Sequence, residues 1–279
     1  MRIDAHQHFW RLARGDYAWL TPKLALIYRD FGAADLRPHL AASGIVGTVL
    51  VQAAPTEAET EFLLALAAES GGMVKAVVGW IDFDALDASQ RLERFARNPL
   101  LRGIRPMMQD IADTDWMLNA ALEPAFRAVI DLGLRFDALV QPRHLPNLRR
   151  LLDRYPGLEI VIDHGAKPAI AAGAREPWAT QMRALARETN AWCKLSGLVT
   201  EAGATWTLED LRPYAEHLVD CFGPARLIWG SDWPVVELAG GYGRWWATTA
   251  ELLRRLDEAS RERILGGNAA RFYGVAEAS

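Results

Sequence analysis

Short apolar runs alternate with longer segments of helical periodicity along the whole chain. The runs are rich in Val, Ile and Leu, and this alternation is typical of βα units, in which strands of a parallel sheet are connected by helices. They predict eight strands, at about residues 2–7, 46–52, 74–81, 101–106, 134–141, 158–163, 191–196 and 226–231.

The segments between these strands predict eight amphipathic helices. In the fifth of them, Leu145, Leu148, Leu151 and Leu152 form one apolar stripe, because residues at this spacing share a helix face. The helices are predicted at about residues 34–43, 56–70, 84–97, 118–132, 144–155, 176–189, 208–222 and 242–256.

Eight strands that alternate with eight helices predict an α/β fold of the (β/α)8 type, a TIM-like barrel of regular or distorted shape. An open doubly wound sheet is the structural alternative, but no GxGxxG sequence follows the first strand to support nucleotide binding. We find no internal repeat, low-complexity tract or interdomain linker in the sequence. We therefore expect residues 1–279 to form one barrel domain.

Composition argues against several classes of partner. The 279 residues are 51% hydrophobic, and a formal net charge of -4 gives no electrostatic reason to expect nucleic acid or an anionic membrane. No apolar stretch approaches the ~20 residues that a membrane-spanning helix needs. The first strand leaves no space for a signal peptide, and Cys193 and Cys221 lack CxxC spacing. These features predict a cytoplasmic protein.

Two histidines one residue apart lie in the first predicted strand. Because strand side chains alternate between faces, His6 and His8 point to the same side. Two neutral imidazoles that face one cavity are suitable ligands for a divalent metal ion. His164 follows the sixth strand and Asp232 the eighth, and they offer a third nitrogen and a carboxylate. In a (β/α)8 barrel these positions meet at the C-terminal rim, where the active sites of such barrels lie.

Three further polar side chains are predicted at the same rim. Arg105 ends the fourth strand, Gln141 ends the fifth and Lys194 lies near the end of the seventh. Convergent polar groups of this kind are candidates for binding a polar substrate. The structural alternative is that Arg105 and Lys194 form internal ion pairs with Asp137 or Asp163.

The four candidate metal ligands also have structural interpretations. An isolated strand histidine such as His164 is more often a hydrogen-bonded core residue than a ligand. Asp232 could simply cap the turn that follows it. The pair of His6 and His8 favours the functional interpretation, because burying two imidazoles on one face without a shared partner costs desolvation free energy twice.

The sequence resembles the amidohydrolase superfamily, and within it the lactonase-like group of small metal-dependent hydrolases. The resemblance extends over nearly the whole chain. It implies a barrel enzyme that hydrolyses a sugar-acid lactone, such as L-fuconolactone or a related L-aldonolactone. The segments that carry it are Asp4-Ala-His-Gln-His-Phe-Trp10, Gly103-Ile-Arg-Pro106, Val161-Ile-Asp-His-Gly-Ala-Lys-Pro168, Lys194-Leu-Ser-Gly197 and Leu227-Ile-Trp-Gly-Ser-Asp-Trp-Pro234.

The resemblance also implies roles for the residues at the rim. It makes His6, His8, His164 and Asp232 the ligands of one divalent metal ion, with zinc as the expected ion. Asp232 would in addition act as general base on water and general acid on the departing ring oxygen.

The chain departs from the binuclear members of the superfamily. Those members carry a bridging lysine or glutamate and two histidines on successive middle strands, whereas here the fourth and fifth strands end with Arg105 and Gln141. The site is therefore expected to hold at most one metal ion. Some relatives in the lactonase-like group work without any metal, so metal-independent catalysis is the alternative.

Tryptophans beside the predicted rim give a clue to the substrate. Trp10 follows the first strand, Trp80 ends the third and Trp233 adjoins the terminal aspartate. Aromatic faces beside polar groups suit the C–H faces of a sugar ring. The expected partner is a small-molecule sugar lactone. We expect these three tryptophans to bind it together with Arg105, Gln141 and Lys194.

Two other functions remain open from the sequence. One is a metal-dependent decarboxylase of an aromatic or muconate-type acid, which is another branch of the same superfamily. The other is a non-catalytic sugar-binding barrel, because a fold alone does not establish activity. Release of carbon dioxide would distinguish the first, and binding without turnover would distinguish the second.

Overall fold

Eight parallel strands form one sheet in the order in which they occur in the chain. The structure is a computed structural model that describes residues 1–275, so the last four residues of the predicted domain lie outside the described range. All eight predicted strands are confirmed, and each is somewhat shorter than predicted. They are β1 (Ile3–Gln7), β2 (Gly47–Val51), β3 (Val74–Gly79), β4 (Leu101–Ile104), β5 (Arg135–Ala138), β6 (Ile160–Ile162), β7 (Trp192–Leu195) and β8 (Leu227–Trp229).

The sheet closes on itself where the chain leaving β8 meets β1. The backbone N–H of Asp232 donates to the carbonyl of His6 at 2.8 Å, and the N–H of His8 donates to the carbonyl of Trp233 at 2.7 Å. This seam gives the first and last strands a partner on both sides, so the fold is a (β/α)8 barrel and the open doubly wound alternative is excluded.

The eight predicted helices are present, and three short helices join them. The fourth helix starts later than predicted, because 3-10 turns at residues 116–118 and 120–122 precede it. The sequence analysis missed the short helices at residues 198–202, 258–262 and 268–273, because they are too short to show a helical period. The helices are α1 (Ala33–Ser43), α2 (Glu57–Glu69), α3 (Ala88–Ala96), α4 (Glu123–Asp131), α5 (Leu145–Arg154), α6 (Trp178–Glu188), α7 (Leu198–Ala202), α8 (Leu208–Phe222), α9 (Tyr242–Leu252), α10 (Glu258–Glu262) and α11 (Asn268–Tyr273).

Side-chain caps determine where two of the outer helices begin. The hydroxyl of Thr56 accepts the backbone N–H of Glu59 at 3.1 Å at the start of α2. At the start of α8, Thr207 and Asp210 form a reciprocal capping box, in which each side chain accepts the other residue's backbone N–H. Both pairs satisfy donors that the first helical turn leaves without partners.

Helix α11 closes the N-terminal end of the barrel. Its residues Ala269, Phe272 and Tyr273 are buried among inward-facing side chains of the strands, including Ile3 and Val161. Phe272 packs edge-on against Tyr273 with ring centroids 5.0 Å apart. The C-terminal end of the barrel is thereby the end that remains available for a cavity.

No helix within residues 1–275 is both long and apolar enough to cross a membrane. This agrees with the hydropathy of the sequence.

Replacing the buried plug residue tests how much α11 stabilises the barrel. We expect Phe272→Ala to lower the free energy of unfolding by about 3–5 kcal/mol, because a buried aromatic ring is lost and a cavity remains. Leu86→Ala is the control, since the Leu86 side chain is fully exposed. Urea unfolding measures the stability of both variants. Equal free energies of unfolding would contradict the claim that α11 stabilises the barrel.

Candidate active site

A cavity of about 570 Å³ lies over the C-terminal ends of the strands. Most of its wall comes from segments that directly follow a strand, as is usual for active sites of this fold. The lining residues used below are His8, Trp19, Ala53, Pro55, Trp80, Asp82, Arg105, His164, Lys167 and Asp232.

Three imidazole nitrogens surround one carboxylate oxygen at the floor of this cavity. Asp232 Oδ1 lies 3.2 Å from His8 Nε2, 3.8 Å from His6 Nε2 and 4.0 Å from His164 Nε2. All four side chains are almost completely buried. The structure therefore brings together the four residues that the sequence singled out as candidate ligands.

An unusual backbone turn delivers His164 to the cavity. Four consecutive residues, 164–167, have φ between +51° and +61°, in the left-handed region that costs an L residue about 1–2 kcal/mol. Tertiary contacts hold the turn: the indole N–H of Trp178 donates to the carbonyl of Gly165 at 2.7 Å. The turn directs both His164 and Lys167 into the cavity wall, which is a use of local strain typical of functional sites.

Two glycines make room for the histidines. A Cβ atom at Gly197 would lie 2.5 Å from His164 Nδ1, and a Cβ at Gly230 would lie 2.6 Å from the Cβ of His6. Both separations are shorter than real side chains tolerate. Glycine is therefore required where the chain passes behind each imidazole.

The donor set fits one divalent metal ion. His8 Nδ1 lies 2.8 Å from the carbonyl oxygen of Val51, which can only accept a hydrogen bond, so Nδ1 carries the proton. In the neutral ring, Nε2 then points a lone pair at Asp232 Oδ1 only 3.2 Å away. Two acceptors this close require a cation or an extra proton between them. His6 Nε2 and His164 Nε2 border the same oxygen and complete a three-nitrogen, one-oxygen set.

Two cationic side chains flank His6. Lys194 Nζ lies 3.1 Å from His6 Nδ1, and Arg105 Nη1 lies 3.3 Å from His6 Nε2. Burial, and then the charge of Lys194, hold the pKa of His6 well below its usual range. His6 is thus neutral, with two fixed positive charges beside it.

Lys194 and Arg105 are paired with two buried aspartates. This is the structural alternative that the sequence left open for these two side chains. Lys194 Nζ lies 2.5 Å from Asp137 Oδ2 and 3.0 Å from Asp163 Oδ1, and Arg105 Nη1 lies 3.3 Å from Asp163 Oδ2. Tyr273 of α11 donates its hydroxyl to Asp137 at 2.8 Å. Asp163 Oδ1 also lies 3.5 Å from His6 Nδ1, so this carboxylate borders the imidazole as well.

The surroundings of Asp232 keep its carboxylate ionised. Burial alone would raise the pKa of Asp232, but the adjacent imidazoles of His164, His8 and His6 outweigh it and hold that pKa well below its usual range. Burial lowers the pKa of His164 to about 4. At neutral pH the floor therefore presents a carboxylate beside a neutral His164 imidazole.

Only two of the six residues predicted to bind substrate line the cavity. They are Arg105, whose guanidinium also donates to Gln52 Oε1 at 2.7 Å, and Trp80. Lys194 is completely buried beneath His6, because its side chain points into the barrel interior and not outward at the rim. No direct contact between Lys194 and a bound substrate is therefore expected.

The other three predicted substrate residues are held away from the cavity by their own contacts. Trp10 is completely buried and donates its indole N–H to the carbonyl of Arg29 at 2.7 Å. Trp233 packs edge-on against Phe31. Gln141 starts the turn before α5, where its Oε1 accepts from Arg143 Nε at 3.1 Å. The spacing of the sequence places these residues near the rim but does not give the direction of their side chains.

The cavity wall also contains side chains that the sequence analysis did not assign to the site. Lys167 and Asp82 add charged groups, and Trp19 adds an aromatic face. Lys167 was recognisable from the segment that carries the family resemblance, since it lies three residues after His164. Asp82 lies outside the segments that carry the family resemblance, so there was no reason to select it from the sequence.

A (β/α)8 barrel that joins three imidazoles and a carboxylate beneath an open cavity has the architecture of a hydrolytic barrel enzyme. The chain belongs to the amidohydrolase family, and the match spans residues 3–275.

Two curated relatives are similar over almost their whole length. The L-fucono-1,5-lactonase of Burkholderia ambifaria is 51% identical over 278 residues, which cover 98% of this chain and 96% of that protein. The L-fucono-1,5-lactonase of Burkholderia multivorans is 37% identical over 99% of this chain and 97% of that protein. A crystal structure of an amidohydrolase from Burkholderia multivorans with bound zinc superposes with a TM-score of 0.92, at 36% identity, over 99% of this chain and 100% of that one.

A pair of glycine variants tests the close approach behind His164. Gly133 and Gly197 share a φ of +63°, but a Cβ at Gly133 would meet nothing within 4 Å. We expect Gly133→Ala to lower the free energy of unfolding by about 1–2 kcal/mol, from the left-handed backbone alone. Gly197→Ala should cost about 1–3 kcal/mol more, because His164 must move. Urea unfolding that gives equal losses would contradict this packing.

Proposed function

We propose that this protein hydrolyses a sugar-acid lactone, with L-fucono-1,5-lactone as the expected substrate, and that it serves carbohydrate metabolism. The observation that carries the proposal is the ionised Asp232 carboxylate among three imidazoles at the floor of an open cavity. The 51% identity to an L-fucono-1,5-lactonase over nearly the whole chain supports the choice of substrate.

Asp232 is the group that moves protons in the proposed reaction. Its carboxylate accepts a proton from the attacking water as the water oxygen bonds to the lactone carbonyl carbon. The bond from that carbon to the ring oxygen then breaks, and the same proton passes from Asp232 to the departing alkoxide. The product is the open-chain hydroxy acid, which ionises at neutral pH. Asp232 is ionised before each turnover because its pKa is held low, so it is free to accept the first proton.

The neighbouring side chains orient Asp232 and stabilise developing negative charge. The hydrogen bond to Val51 fixes the His8 ring, whose Nε2 lies 3.2 Å from Asp232 Oδ1 and orients that oxygen through the cation or proton that the two atoms share. Arg105 lines the cavity next to His6, and its fixed positive charge favours an oxyanion on the carbonyl oxygen. Because the pairs with Gln52 and Asp163 fix the guanidinium, little reorganisation is needed during the reaction.

We propose that His6, His8, His164 and Asp232 hold one divalent metal ion, with zinc favoured by the three nitrogen ligands. When bound, such an ion polarises the carbonyl group or lowers the pKa of water. Arg105 and Lys194 oppose a second ion by their charge.

The upper wall is suited to the remainder of the sugar. Trp19 and Trp80 offer aromatic faces to the C–H groups of the ring. Lys167 and Asp82 offer a donor and an acceptor for its hydroxyl groups. In this assignment Trp19 takes the place of Trp10 and Trp233, which do not line the cavity.

We also propose a cytoplasmic location. Cys193 and Cys221 are both free thiols, as expected in a reducing compartment.

Replacing the proposed proton carrier tests the mechanism. Asp232→Asn should lower kcat for lactone hydrolysis by about 10²–10⁴-fold, because an amide cannot accept the proton of water. Asp153→Asn is the matched control, since Asp153 is exposed on α5. A pH-indicator assay measures both variants, and circular dichroism verifies folding. Wild-type rates in the Asp232 variant would exclude the role.

Metal analysis tests the proposed ion. We expect one zinc per chain in the purified protein, and loss of activity after chelation that added zinc restores. The His8→Gln variant should retain less zinc at equal protein concentration, because one imidazole ligand is missing. Full activity in a metal-free sample would instead make the histidines binding groups for the substrate.

A panel of L-fucono-, L-rhamnono-, D-arabinono-, L-galactono- and D-galactono-lactones tests the substrate class. Hydrolysis of L-fucono-1,5-lactone with the highest kcat/KM is expected. Carbon dioxide release from an aromatic or muconate-type acid, without lactone turnover, would favour a decarboxylase. Binding of the lactones without turnover would favour a sugar-binding barrel.

A further inference from the structure

A buried carboxylate outside the reacting groups connects two parts of the cavity wall. Glu59 of α2 is completely buried. Its Oε2 accepts the hydroxyl of Tyr17 at 2.6 Å, and its Oε1 accepts the backbone N–H of Ala53 at 3.1 Å. Tyr17 lies in the long loop between β1 and α1, and Ala53 lies just after β2, so one side chain bridges two loops.

Both bridged loops continue directly into the cavity wall. Trp19 follows Tyr17 by two residues, and Ala53 and Pro55 line the cavity beside it. The indole N–H of Trp19 donates to the carbonyl of Ala53 at 2.7 Å. Ala53 therefore makes one hydrogen bond to Glu59 and one to Trp19. The position of the Trp19 ring depends on both loops that Glu59 holds.

Charged and polar side chains surround Glu59, but none of those within residues 1–275 balances the charge of its carboxylate by a close ion pair. Arg14 Nε lies 3.5 Å from Glu59 Oε2, but Arg14 also pairs with Asp16 at 2.5 Å. Asp16 in turn accepts the hydroxyl of Thr56 at 3.2 Å. Burial raises the pKa of Glu59 to about 7, against the hydrogen bonds from Tyr17 and Ala53. A carboxyl group is costly to bury. The hydrogen bonds that Glu59 accepts in return come from Tyr17 in one loop and from Ala53 in the other.

We propose that Glu59 is a positioning residue that fixes Trp19 against the substrate through Tyr17 and Ala53. This inference rests on the proposed function for the identity of the substrate. Glu59 itself touches neither the substrate nor the reacting groups. Its loss should therefore weaken substrate binding and leave the chemistry at Asp232 intact, which appears as a higher KM with an unchanged kcat.

The main variant is Glu59→Leu, which removes both acceptors and keeps a similar side-chain volume. We expect KM for L-fucono-1,5-lactone to rise about tenfold, which corresponds to about 1.4 kcal/mol of substrate-binding free energy. We expect kcat to stay within about twofold. Tyr17→Phe removes one of the two contacts and should give a smaller rise in KM. If Glu59→Leu does not fold, the KM of Tyr17→Phe tests the proposal in its place. Glu61→Leu is the matched control, because Glu61 is exposed on the same helix.

A double-mutant cycle with Trp19→Ala separates positioning from general destabilisation. If Glu59 acts through Trp19, adding Glu59→Leu to Trp19→Ala should not raise KM further. An equal rise in KM in both backgrounds would overturn the inference, as would an unchanged KM in the single variant. The same cycle with Tyr17→Phe in place of Glu59→Leu has the same two outcomes.

Hydrogen exchange of residues 14–20 gives a readout that needs no substrate. Exchange there should accelerate in Glu59→Leu, or in Tyr17→Phe, and stay as in the wild type in Glu61→Leu. If no lactone is turned over, the proposed function fails, and this exchange decides the positioning role alone. Unchanged exchange would overturn the inference even where lactone hydrolysis is established.

Discussion

The seam between β1 and the segment after β8 is the constraint on which the site depends. Two backbone hydrogen bonds there, from Asp232 to the carbonyl of His6 and from His8 to the carbonyl of Trp233, close the barrel. The same residues carry the imidazoles and the carboxylate, so closing the sheet and assembling the site are one event. A slip of one residue would turn the His6 and His8 side chains to the opposite face.

Below the seam, the barrel contains a layer of charge in place of the usual aliphatic packing. Lys194 and Arg105 are balanced by Asp137 and Asp163, and three of these four side chains, Lys194, Arg105 and Asp163, border His6. Such a layer is costly to desolvate and stays stable only because every cation has an anionic partner. Its consequence at the cavity floor is that burial, together with the charge of Lys194, keeps His6 neutral.

Periodicity predicted the eight strands, the eight long helices and the convergence of His6, His8, His164 and Asp232, because burial and the position of strand ends follow directly from the pattern of residues. Side-chain direction did not follow. Lys194 points into the interior and Trp10 into an aromatic cluster, and both outcomes depend on strand tilt and on contacts distant in sequence. The left-handed turn at His164 is held by Trp178 from another element. The predictions of a metal ion and of substrate contacts await experiment.

Tyr273 of α11 reaches Asp137, which pairs with Lys194, which in turn meets His6. The group that stabilises the floor from below therefore follows every strand in the chain, whereas His6 lies on the first strand. During synthesis on a ribosome, the strands emerge before the residue that completes their interior charge network. The hydrogen bond from Tyr273 to Asp137 can form only after α11 has left the ribosome, so the charge network beneath His6 is completed by the last helix of the chain.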